Sequence, residues 1–455
     1  MSQAGTLVGR QVLVAGAGLS GRACASALRR LGAHVQLTDD EPGVVDGQPV
    51  LRLASPPPGT ELVITSPGWR PDSPLLVAAA AAGLPVWGDV ELAWRLRPTG
   101  QRWLVVTGTN GKTTTTGMLA EILRAAGRQA RSAGNIGTPL MEVIGAAPPF
   151  EVLAVELSSF QLHWSSTIVP SAAAVVNIAA DHLDWHGSHA AYVAAKAKVL
   201  TAATIGLYDA DDVGARTVGE AHAAAGGRAV PITLQAPSAG GLGISSGWLV
   251  DEAFGGGRLL PARELPVPGP HNATNALIAA GLALADGCPP GAVRTGLVAY
   301  RAGAHRMSLV ARVAGVDFVD DSKGTNPHAT AAALGSYSRV VWIAGGLAKG
   351  ASYEELVTAH AGRLRAAVLI GSCAPQIAQA MGRHAGQVPV IMAATLDDAV
   401  REAFRLARPG DTVLLSPAAA SMDMFTDYHH RGEVFAAAVR ALPGGADGPA
   451  TEEVP

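Results

Sequence analysis

Short apolar runs rich in valine, isoleucine and leucine alternate with alanine- and leucine-rich runs along most of this 455-residue chain. Runs of the first kind are typical of buried strands, and runs of the second kind are typical of helices. Their alternation predicts parallel sheets whose strands are joined by crossover helices. We therefore expect an α/β protein, and the length allows roughly two to four domains.

Two interruptions divide this pattern into three segments. RLRPTGQRW at residues 95–103 carries proline, glycine and charges, as linkers do, and VAYRAGAHR at residues 298–306 follows a helical run. The expected domains are residues 1–98, 99–302 and 303–455. Residues 230–269 are rich in Gly, Pro and Ser and predict a small β-insertion in the middle domain, whereas the tail 443–455 is predicted to be disordered.

Charge and cysteine content narrow the function classes. The formal net charge is −3, and non-specific binding of nucleic acid needs a basic face, so no nucleic-acid partner is expected. The three cysteines are far apart and fit buried thiols of a reducing compartment. No signal peptide is expected in MSQAGTLVGRQ, and no apolar run reaches the ~20 residues of a membrane helix. These features predict a cytoplasmic protein with no membrane partner.

A glycine motif of the form GxGxxG opens the first segment. Gly16, Gly18 and Gly21 follow a predicted strand and precede a predicted helix, and the next strand ends at Asp39. Such glycines let backbone amides approach a diphosphate at a helix N-terminus, and the aspartate is placed to meet a ribose hydroxyl. NAD is the usual ligand of this pattern, and a purely structural turn is the alternative.

The stretch LVVTGTNGKTTTT at residues 104–116 predicts a second phosphate-binding loop. Its glycines allow backbone amides to point at phosphate, Lys112 can reach the outer phosphates, and the Thr113 hydroxyl can ligate Mg²⁺. The loop is shorter than GxxxxGK[ST], because the first glycine of that pattern would fall at Val106. A simple glycine-rich turn is the alternative. The residues expected to bind ATP are Gly108, Thr109, Asn110, Gly111, Lys112, Thr113 and Thr114.

Candidate catalytic side chains follow the next strands of the same segment. Glu156 ends an apolar strand at the sheet edge that carries the phosphate loop, Asp181 and His182 follow another strand, and Lys196 lies in an alanine-rich helix. Taken singly, a buried ion pair, a loop histidine and a solvent-facing lysine are the alternatives. Together they are expected near the metal that accompanies the phosphates.

Seven motifs, in this order, carry a family resemblance: GTNGKTT, ELSSFQL, NIAADHLD with a trailing AAK, PGPHNATN, GAHR, DDSKGTN and LLSPAAASMDMF. The chain resembles the Mur ligases of peptidoglycan synthesis over nearly its whole length. ELSSFQL and SPAAASMDMF indicate the members that add D-glutamate to UDP-N-acetylmuramoyl-L-alanine, and the Asn-Pro-Arg motif usual in the relative that adds a diamino acid is not found. The resemblance implies three domains: a Rossmann-like UDP-binding domain, a P-loop ATPase-like domain with a mostly parallel sheet, and a Rossmann-like amino-acid-binding domain.

The resemblance also implies a reaction and its cofactors. ATP phosphorylates the alanine carboxylate, and the amine of D-glutamate then displaces phosphate from the acyl phosphate. Two Mg²⁺ ions are implied, one served by Thr113 and Glu156 and the other by His182 and by Lys196 as a carbamate. The implied substrates are small molecules, and a monomer is expected. A sibling ligase with another amino acid, and an NAD(P)-binding dehydrogenase or regulator resting on the first glycine motif alone, are the alternatives.

The family's substrate contacts carry over residue by residue. The positions implied for the UDP-substrate are Leu19, Ser20, Asp39, Ser66, Asn135, Ser159 and His182. Those implied for ATP beyond the loop are Asn272, Asn275, Arg306 and Asp321, and those implied for D-glutamate are Lys323, Thr325, Lys349, Ser421 and Tyr428.

Three departures from the family pattern accompany these positions. Asp40 and Glu41 stand where relatives have Thr and Arg, Leu347 replaces an acidic residue, and Tyr428 replaces the usual Phe.

Overall fold

The structure is a computed structural model that describes residues 6–267, 269–301, 303–348 and 350–444. The chain forms two compact units. One comprises residues up to 266 together with 272–300, and the other comprises 267–271 and the residues from 301 onwards. The first unit contains two sheets and the second contains one, which agrees with the predicted α/β class. The domain limits at 98 and 302 stay predictions.

The first sheet lies in the N-terminal segment and has six strands among its described residues, in the order β3-β4-β2-β1-β5-β6. All neighbouring strands are parallel except the β3–β4 pair. The strands are β1 Gln11–Ala15, β2 His34–Thr38, β3 Gly43–Val45, β4 Gln48–Leu51, β5 Leu62–Thr65 and β6 Val86–Gly88, and the helices are α1 Leu19–Arg30, α2 Pro74–Ala81 and α3 Asp89–Leu96.

The second sheet belongs to the same unit and has nine strands within the residues described, in the order β15-β14-β13-β12-β11-β10-β7-β9-β8. Its strands are β7 Arg102–Thr107, β8 Ala130–Gly134, β9 Val152–Glu156, β10 Ala172–Val175, β11 Ile205–Asp209, β12 Arg228–Ile232, β13 Leu242–Ser245, β14 Trp248–Asp251 and β15 Gly257–Pro261. Its helices are α4 Lys112–Ala125, α5 Leu140–Ile144, α6 Ser159–His163, α7 Leu183–His186, α8 His189–Ala202, α9 Val213–Ala224, α10 Pro270–Ala285 and α11 Pro290–Ala299.

The predicted β-insertion does not form a body of its own. Its strand β13 pairs with β12 at Ile232 and Leu242, and β14 and β15 continue the second sheet in antiparallel register. The edge of a parallel sheet offers unpaired backbone groups, and a β-meander satisfies them without a crossover helix. The insertion therefore lengthens the sheet at the end opposite β8.

The third sheet forms the second unit and has six strands in the part of this unit that the structure describes, in the order β16-β17-β21-β18-β19-β20. Among the described strands of this sheet, only the β16–β17 pair is antiparallel. The strands are β16 Ser308–Val313, β17 Val316–Asp320, β18 Val340–Gly345, β19 Leu364–Ile370, β20 Val390–Met392 and β21 Thr412–Leu415. The helices are α12 Pro327–Gly335, α13 Glu354–His360, α14 Ala374–His384, α15 Leu396–Leu406 and α16 Tyr428–Arg440.

Buried strands explain where the functional loops lie. Strands β7, β9 and β10 are buried almost throughout, as expected for parallel strands covered on both faces. Parallel strands end at one sheet edge, so the residues after Thr107, Glu156 and Val175 meet there. Among the residues described, no helix combines the length and hydropathy needed to cross a bilayer. The predicted tail beyond residue 444 lies outside the described residues.

Candidate active site

The predicted phosphate loop connects β7 to α4, as the sequence indicated. Gly108 and Gly111 have φ angles of 155° and 81°, which L-residues rarely adopt. A Cβ atom on Gly111 would also lie 2.5 Å from the Oδ1 atom of Asn275. Both glycines are therefore required by backbone shape and by space, and they turn the chain so that the N-terminus of α4 faces the sheet edge.

Asn177 holds the loop from the neighbouring strand. Its Oδ1 atom accepts the amide hydrogens of Thr109 and Asn110 at 3.1 and 2.8 Å. These two amides are therefore paired within the protein in this structure, and their contact with phosphate stays a prediction. A helix leaves the amides of its first turn without intrahelical partners, so the start of α4 is where the fold offers donors to a phosphate. The sequence reasoning missed Asn177.

Two lysines converge on one loop carbonyl. Lys112 Nζ donates to the carbonyl oxygens of Gly108 and Thr109 at 3.0 and 2.8 Å, and Lys196 Nζ donates to Gly108 at 2.6 Å. Lys196 is only 2% exposed. Its burial, followed by the nearby charge of Lys112, holds the pKa of Lys196 well below its usual value. Lys196 is thus a buried catalytic candidate and not a solvent-facing helix residue.

Thr113, Glu156 and Asn135 form a hydrogen-bonded row beside the loop. Thr113 Oγ1 donates to Glu156 Oε2 at 2.7 Å, and Asn135 Nδ2 donates to Glu156 Oε1 at 3.0 Å. Glu156 is 2% exposed. The Thr113 hydroxyl and the Glu156 carboxylate supply two oxygens within reach of one point, which suits a hard cation such as Mg²⁺. The structure places Thr113 beside Glu156, the pair that the sequence analysis assigned to one Mg²⁺, and it adds Asn135, which that analysis assigned to the UDP-substrate.

His182 lies at the start of α7 in a left-handed conformation, with φ of 52°. Its Nε2 atom is 3.6 Å from Asp181 Oδ2, and its ring centroid is 4.7 Å from that of Phe160. In the described part of the chain, no three His, Cys, Asp or Glu side chains are grouped so that they could hold a metal ion.

Ser159 has a partner that the sequence analysis did not identify. His186 Nε2 lies 2.9 Å from Ser159 Oγ, and the His186 ring stacks on Phe160 with centroids 5.6 Å apart. Burial, and then the charges of the neighbouring histidines, lower the pKa of His186 to about 4. The imidazole is therefore neutral near pH 7 and orients the Ser159 hydroxyl by a hydrogen bond. The repeated histidines of DHLDWHGSH were the available signal.

The two asparagines predicted to lie near ATP pack against the phosphate loop. Asn275 Nδ2 donates to Asn272 Oδ1 at 3.2 Å, and the Thr115 hydroxyl donates to Asn275 Oδ1 at the same distance. Both asparagines are buried on α10. The contact of Asn275 with Thr115 places this asparagine beside the start of α4, and Asn272 is held next to it, while the contact of both with adenine stays a prediction.

The glycine motif of the first sheet forms the expected tight turn. Asp39 Oδ2 accepts the amide hydrogen of Ala17 at 2.6 Å, so this carboxylate braces the turn. The Ser66 hydroxyl is buried without a partner among the described residues, beside the turn at Gly16. An unpaired buried hydroxyl marks a place where a ligand atom would be bound at little cost. Leu19 is 68% exposed, and burial raises the pKa of the Asp89 carboxyl, which the nearby Ser20 hydroxyl partly offsets.

In the second unit, Asp321, Lys323 and Thr325 follow β17 and Ser421 follows β21, whereas Arg306 precedes β16 and Tyr428 begins α16. Asp321 is buried and accepts a hydrogen bond from Ser416 Oγ at 2.8 Å, and burial raises the pKa of Asp321 to about 7. Arg306 acts on Asp321 through its charge. Lys323 Nζ lies 4.9 Å from the centre of the Tyr428 ring. The Tyr that replaces the usual Phe therefore keeps an aromatic face for this lysine.

Of the remaining positions predicted for D-glutamate, Ser421 and Thr325 lie in the part of the chain that the structure describes, and Lys349 does not. Ser421 is 4% exposed and begins a turn in which its carbonyl oxygen accepts the amides of Met424 and Phe425. The amide of Thr325 donates to the carbonyl oxygen of Lys323 at 2.9 Å. Lys349 lies outside the described residues, so its predicted role stays untested.

Comparison with known proteins gives two family matches. The model of the Mur ligase middle domain matches residues 106–283, and the model of the Mur ligase glutamate ligase domain matches residues 305–419. The first range contains the phosphate loop, and the second contains Arg306 and the DDSKGTN motif.

Curated proteins and solved structures show the same relationship. The chain is 54% identical to the UDP-N-acetylmuramoylalanine–D-glutamate ligase of Frankia casuarinae over 96% of this chain and 95% of that one. It is 51% identical to the protein of the same name from Thermobifida fusca, over 96% of this chain and all of the relative. The solved UDP-N-acetylmuramate-alanine ligase of Thermotoga maritima has a TM-score of 0.58 at 18% identity, covering 94% of this chain and 98% of that structure. This last likeness concerns the fold alone.

Proposed function

The chain belongs to the Mur ligase family, and we propose that it joins D-glutamate to UDP-N-acetylmuramoyl-L-alanine in an ATP-dependent step of peptidoglycan precursor synthesis. The relatives that carry this activity in their names match it from end to end at about half identity. The observation that carries the proposal is the meeting of Lys112, Thr113 and Glu156 at one sheet edge, since this arrangement suits phosphoryl transfer.

The reaction has two steps that balance. An oxygen of the alanine carboxylate attacks the γ-phosphorus of ATP, the bond to the bridging oxygen breaks, and ADP leaves. The amine nitrogen of D-glutamate then attacks the carbonyl carbon of the acyl phosphate. An amide bond forms, inorganic phosphate leaves, and the amine gives up a proton. Activation is needed because a free carboxylate is a poor electrophile.

Lys112 and the N-terminus of α4 would stabilise the transferring phosphoryl group. Lys112 Nζ lies on the loop carbonyls of Gly108 and Thr109, at the loop where phosphate is proposed to bind. A preorganised cation and helix amides at the developing charge are worth several kcal/mol in such sites. Asn177, Asn275 and the two loop glycines keep this loop in shape.

The residues beside the loop can supply ligands for the two implied Mg²⁺ ions, provided that Lys196 is a carbamate. Thr113 and Glu156 offer oxygens for one ion. An ammonium cannot ligate a cation, so Lys196 fits the other ion with His182 only as a carbamate, whose oxygens resemble those of a carboxylate. Burial favours the neutral amine that CO₂ needs. When bound, the ions neutralise the phosphate and carboxylate charges that the reaction brings together.

The substrates divide between the two units of the chain. For the UDP-substrate, we propose binding at the first glycine turn, by Leu19, Ser20, Asp39 and Ser66. We propose that its peptide end is bound by Asn135, Ser159 and His182. The partnerless hydroxyl of Ser66 supports this assignment. For D-glutamate, Lys323 and Ser421 offer a cation and a hydroxyl to its carboxylates. Tyr428 stays within cation–π distance of Lys323.

The test is a phosphate-release assay with each component omitted in turn. Release should require ATP, Mg²⁺, UDP-N-acetylmuramoyl-L-alanine and D-glutamate together. A panel in which L-lysine, a diamino acid and L-alanine replace D-glutamate separates this activity from that of a sibling ligase. Equal turnover with any of these would contradict the D-glutamate assignment, and nicotinamide binding without phosphate release would favour a dehydrogenase or regulator.

A further inference from the structure

Arg431, in the first turn of α16, is completely buried and ties two loops together. Its Nε atom donates to Ser322 Oγ at 3.0 Å, and its Nη2 atom donates to the carbonyl oxygen of Ser322 at 2.7 Å. Its Nη1 atom donates to the carbonyl oxygen of Ala419 at 3.2 Å. One planar group therefore fixes the loop after β17 against the loop after β21.

The charge of Arg431 is not needed for these contacts. All three acceptors are neutral oxygens, and among the residues described no carboxylate lies within ion-pair distance of its guanidinium. The carboxylates of Asp423, Asp320 and Asp321 act on it only from farther away, and burial lowers the pKa of Arg431 to about 10. A buried cation without a direct counter-ion is costly, so a purely structural tie would use a neutral donor.

Both anchor points lie beside residues proposed to hold D-glutamate. Ser322 precedes Lys323, and Ala419 comes two residues before Ser421. The loop after β21 also contacts the loop after β18, because the backbones of Leu347 and Ala420 exchange hydrogen bonds at 2.8 and 3.1 Å. A Cβ atom on Gly346 would lie 2.1 Å from the carbonyl oxygen of Ala420, so this approach leaves no room for adjustment.

We propose that Arg431 is a positioning residue that sets the separation between Lys323 and Ser421 and thereby selects the acceptor by the spacing of its two carboxylates. Its charge adds a positive potential behind the loops that an amino dicarboxylate meets. This inference rests on the proposed function, because it concerns where D-glutamate is held. The planar fork of arginine makes three bonds in fixed directions, which lysine cannot reproduce.

The test compares Arg431→Lys with Arg440→Lys, an exposed arginine at the end of the same helix. The measured quantities are kcat and KM for D-glutamate and for D-aspartate, whose carboxylates are one methylene closer, together with KM for ATP. For Arg431→Lys we expect a tenfold or larger rise in KM for D-glutamate and a tenfold or larger loss of preference over D-aspartate. For Arg431→Lys, kcat and the KM for ATP should stay within about threefold of the values for the unmodified protein. Arg440→Lys should match the unmodified protein in all of these quantities.

An unchanged preference in a folded Arg431→Lys protein would overturn the proposal, because a merely structural role would lower activity with both acceptors equally. If that variant fails to fold, Ser322→Ala removes one of the three acceptors and should shift the preference in the same direction to a smaller extent. An unmodified protein that shows no D-glutamate-dependent phosphate release would instead contradict the proposed function.

Discussion

Lys196 and Lys198 lie two residues apart on α8 and should respond oppositely to substitution by methionine. Lys196 is 2% exposed and donates to the carbonyl oxygen of Gly108, which also accepts from Lys112. Lys198 is exposed along part of its length, and its Nζ atom donates to the carbonyl oxygens of Leu162, His163 and Ser165 at 3.0, 2.8 and 3.3 Å. We expect Lys196→Met to abolish activity without lowering the free energy of unfolding. We expect Lys198→Met to lower the free energy of unfolding and to keep the activity.

The magnitudes follow from what each substitution leaves behind. After Lys196→Met, the Gly108 carbonyl keeps Lys112 as a donor, and a buried polar amino group is replaced by an apolar chain of similar length. The free energy of unfolding should therefore stay constant or rise by about 1 kcal/mol. After Lys198→Met, three carbonyls at the end of α6 lose a charged donor, which should cost about 1–2 kcal/mol after allowance for partial exposure.

Urea unfolding measured beside phosphate release tests this pair. Lys196→Met should lose at least 10²-fold in kcat, since it can neither hold the loop nor carry a carbamate. Lys198→Met should keep kcat within about threefold at a temperature where it is folded. A Lys196→Met protein that is destabilised by more than 2 kcal/mol, or that remains active, would refute the assignment of Lys196 to the chemistry.

Three further outcomes can be measured with the same methods. Lys112→Ala should lower kcat by about 10²–10³-fold with an unchanged urea midpoint, because this lysine acts on phosphate and does little packing. Gly21→Ala places a Cβ atom 1.8 Å from the carbonyl oxygen of Gly16, so the unfolding free energy should fall by about 2 kcal/mol or more in a urea titration. Burial raises the pKa of Asp89 to about 6, so the folded state binds its proton more tightly than the unfolded state does. Stability from this group should therefore be lost as pH rises from about 4 to about 6, and Asp89→Asn should remove that slope from unfolding data taken across this range.

Local patterns in the sequence were sufficient for the sheets and the phosphate loop. The predicted strand LVVT is β7, the helix begins at Lys112, and Glu156 ends β9. These features depend on residues close together in the chain, where periodicity and glycine positions carry the information. The resemblance then pointed to residues such as Asn275, which no local pattern distinguishes and whose contact with ATP stays a prediction.

Features built from distant segments were missed. The strands of the β-insertion were predicted, but their place at the edge of the second sheet depends on one pairing between Ile232 and Leu242. His186 reaches Ser159 across 27 residues, and Arg431 reaches Ser322 across 109. A single histidine or arginine in a sequence gives no indication of such a partner, because the tertiary fold alone brings the two together.

The most direct test of the account follows the oxygen atoms of the alanine carboxylate. UDP-N-acetylmuramoyl-L-alanine with both of these oxygens labelled as ¹⁸O is incubated with ATP, Mg²⁺ and D-glutamate, and phosphate and amide product are analysed by mass spectrometry. Because phosphate leaves from an acyl phosphate, each phosphate should carry one ¹⁸O atom and each new amide should keep the other, with ADP as the nucleotide product. Unlabelled phosphate, or release of AMP with pyrophosphate, would contradict the proposed mechanism.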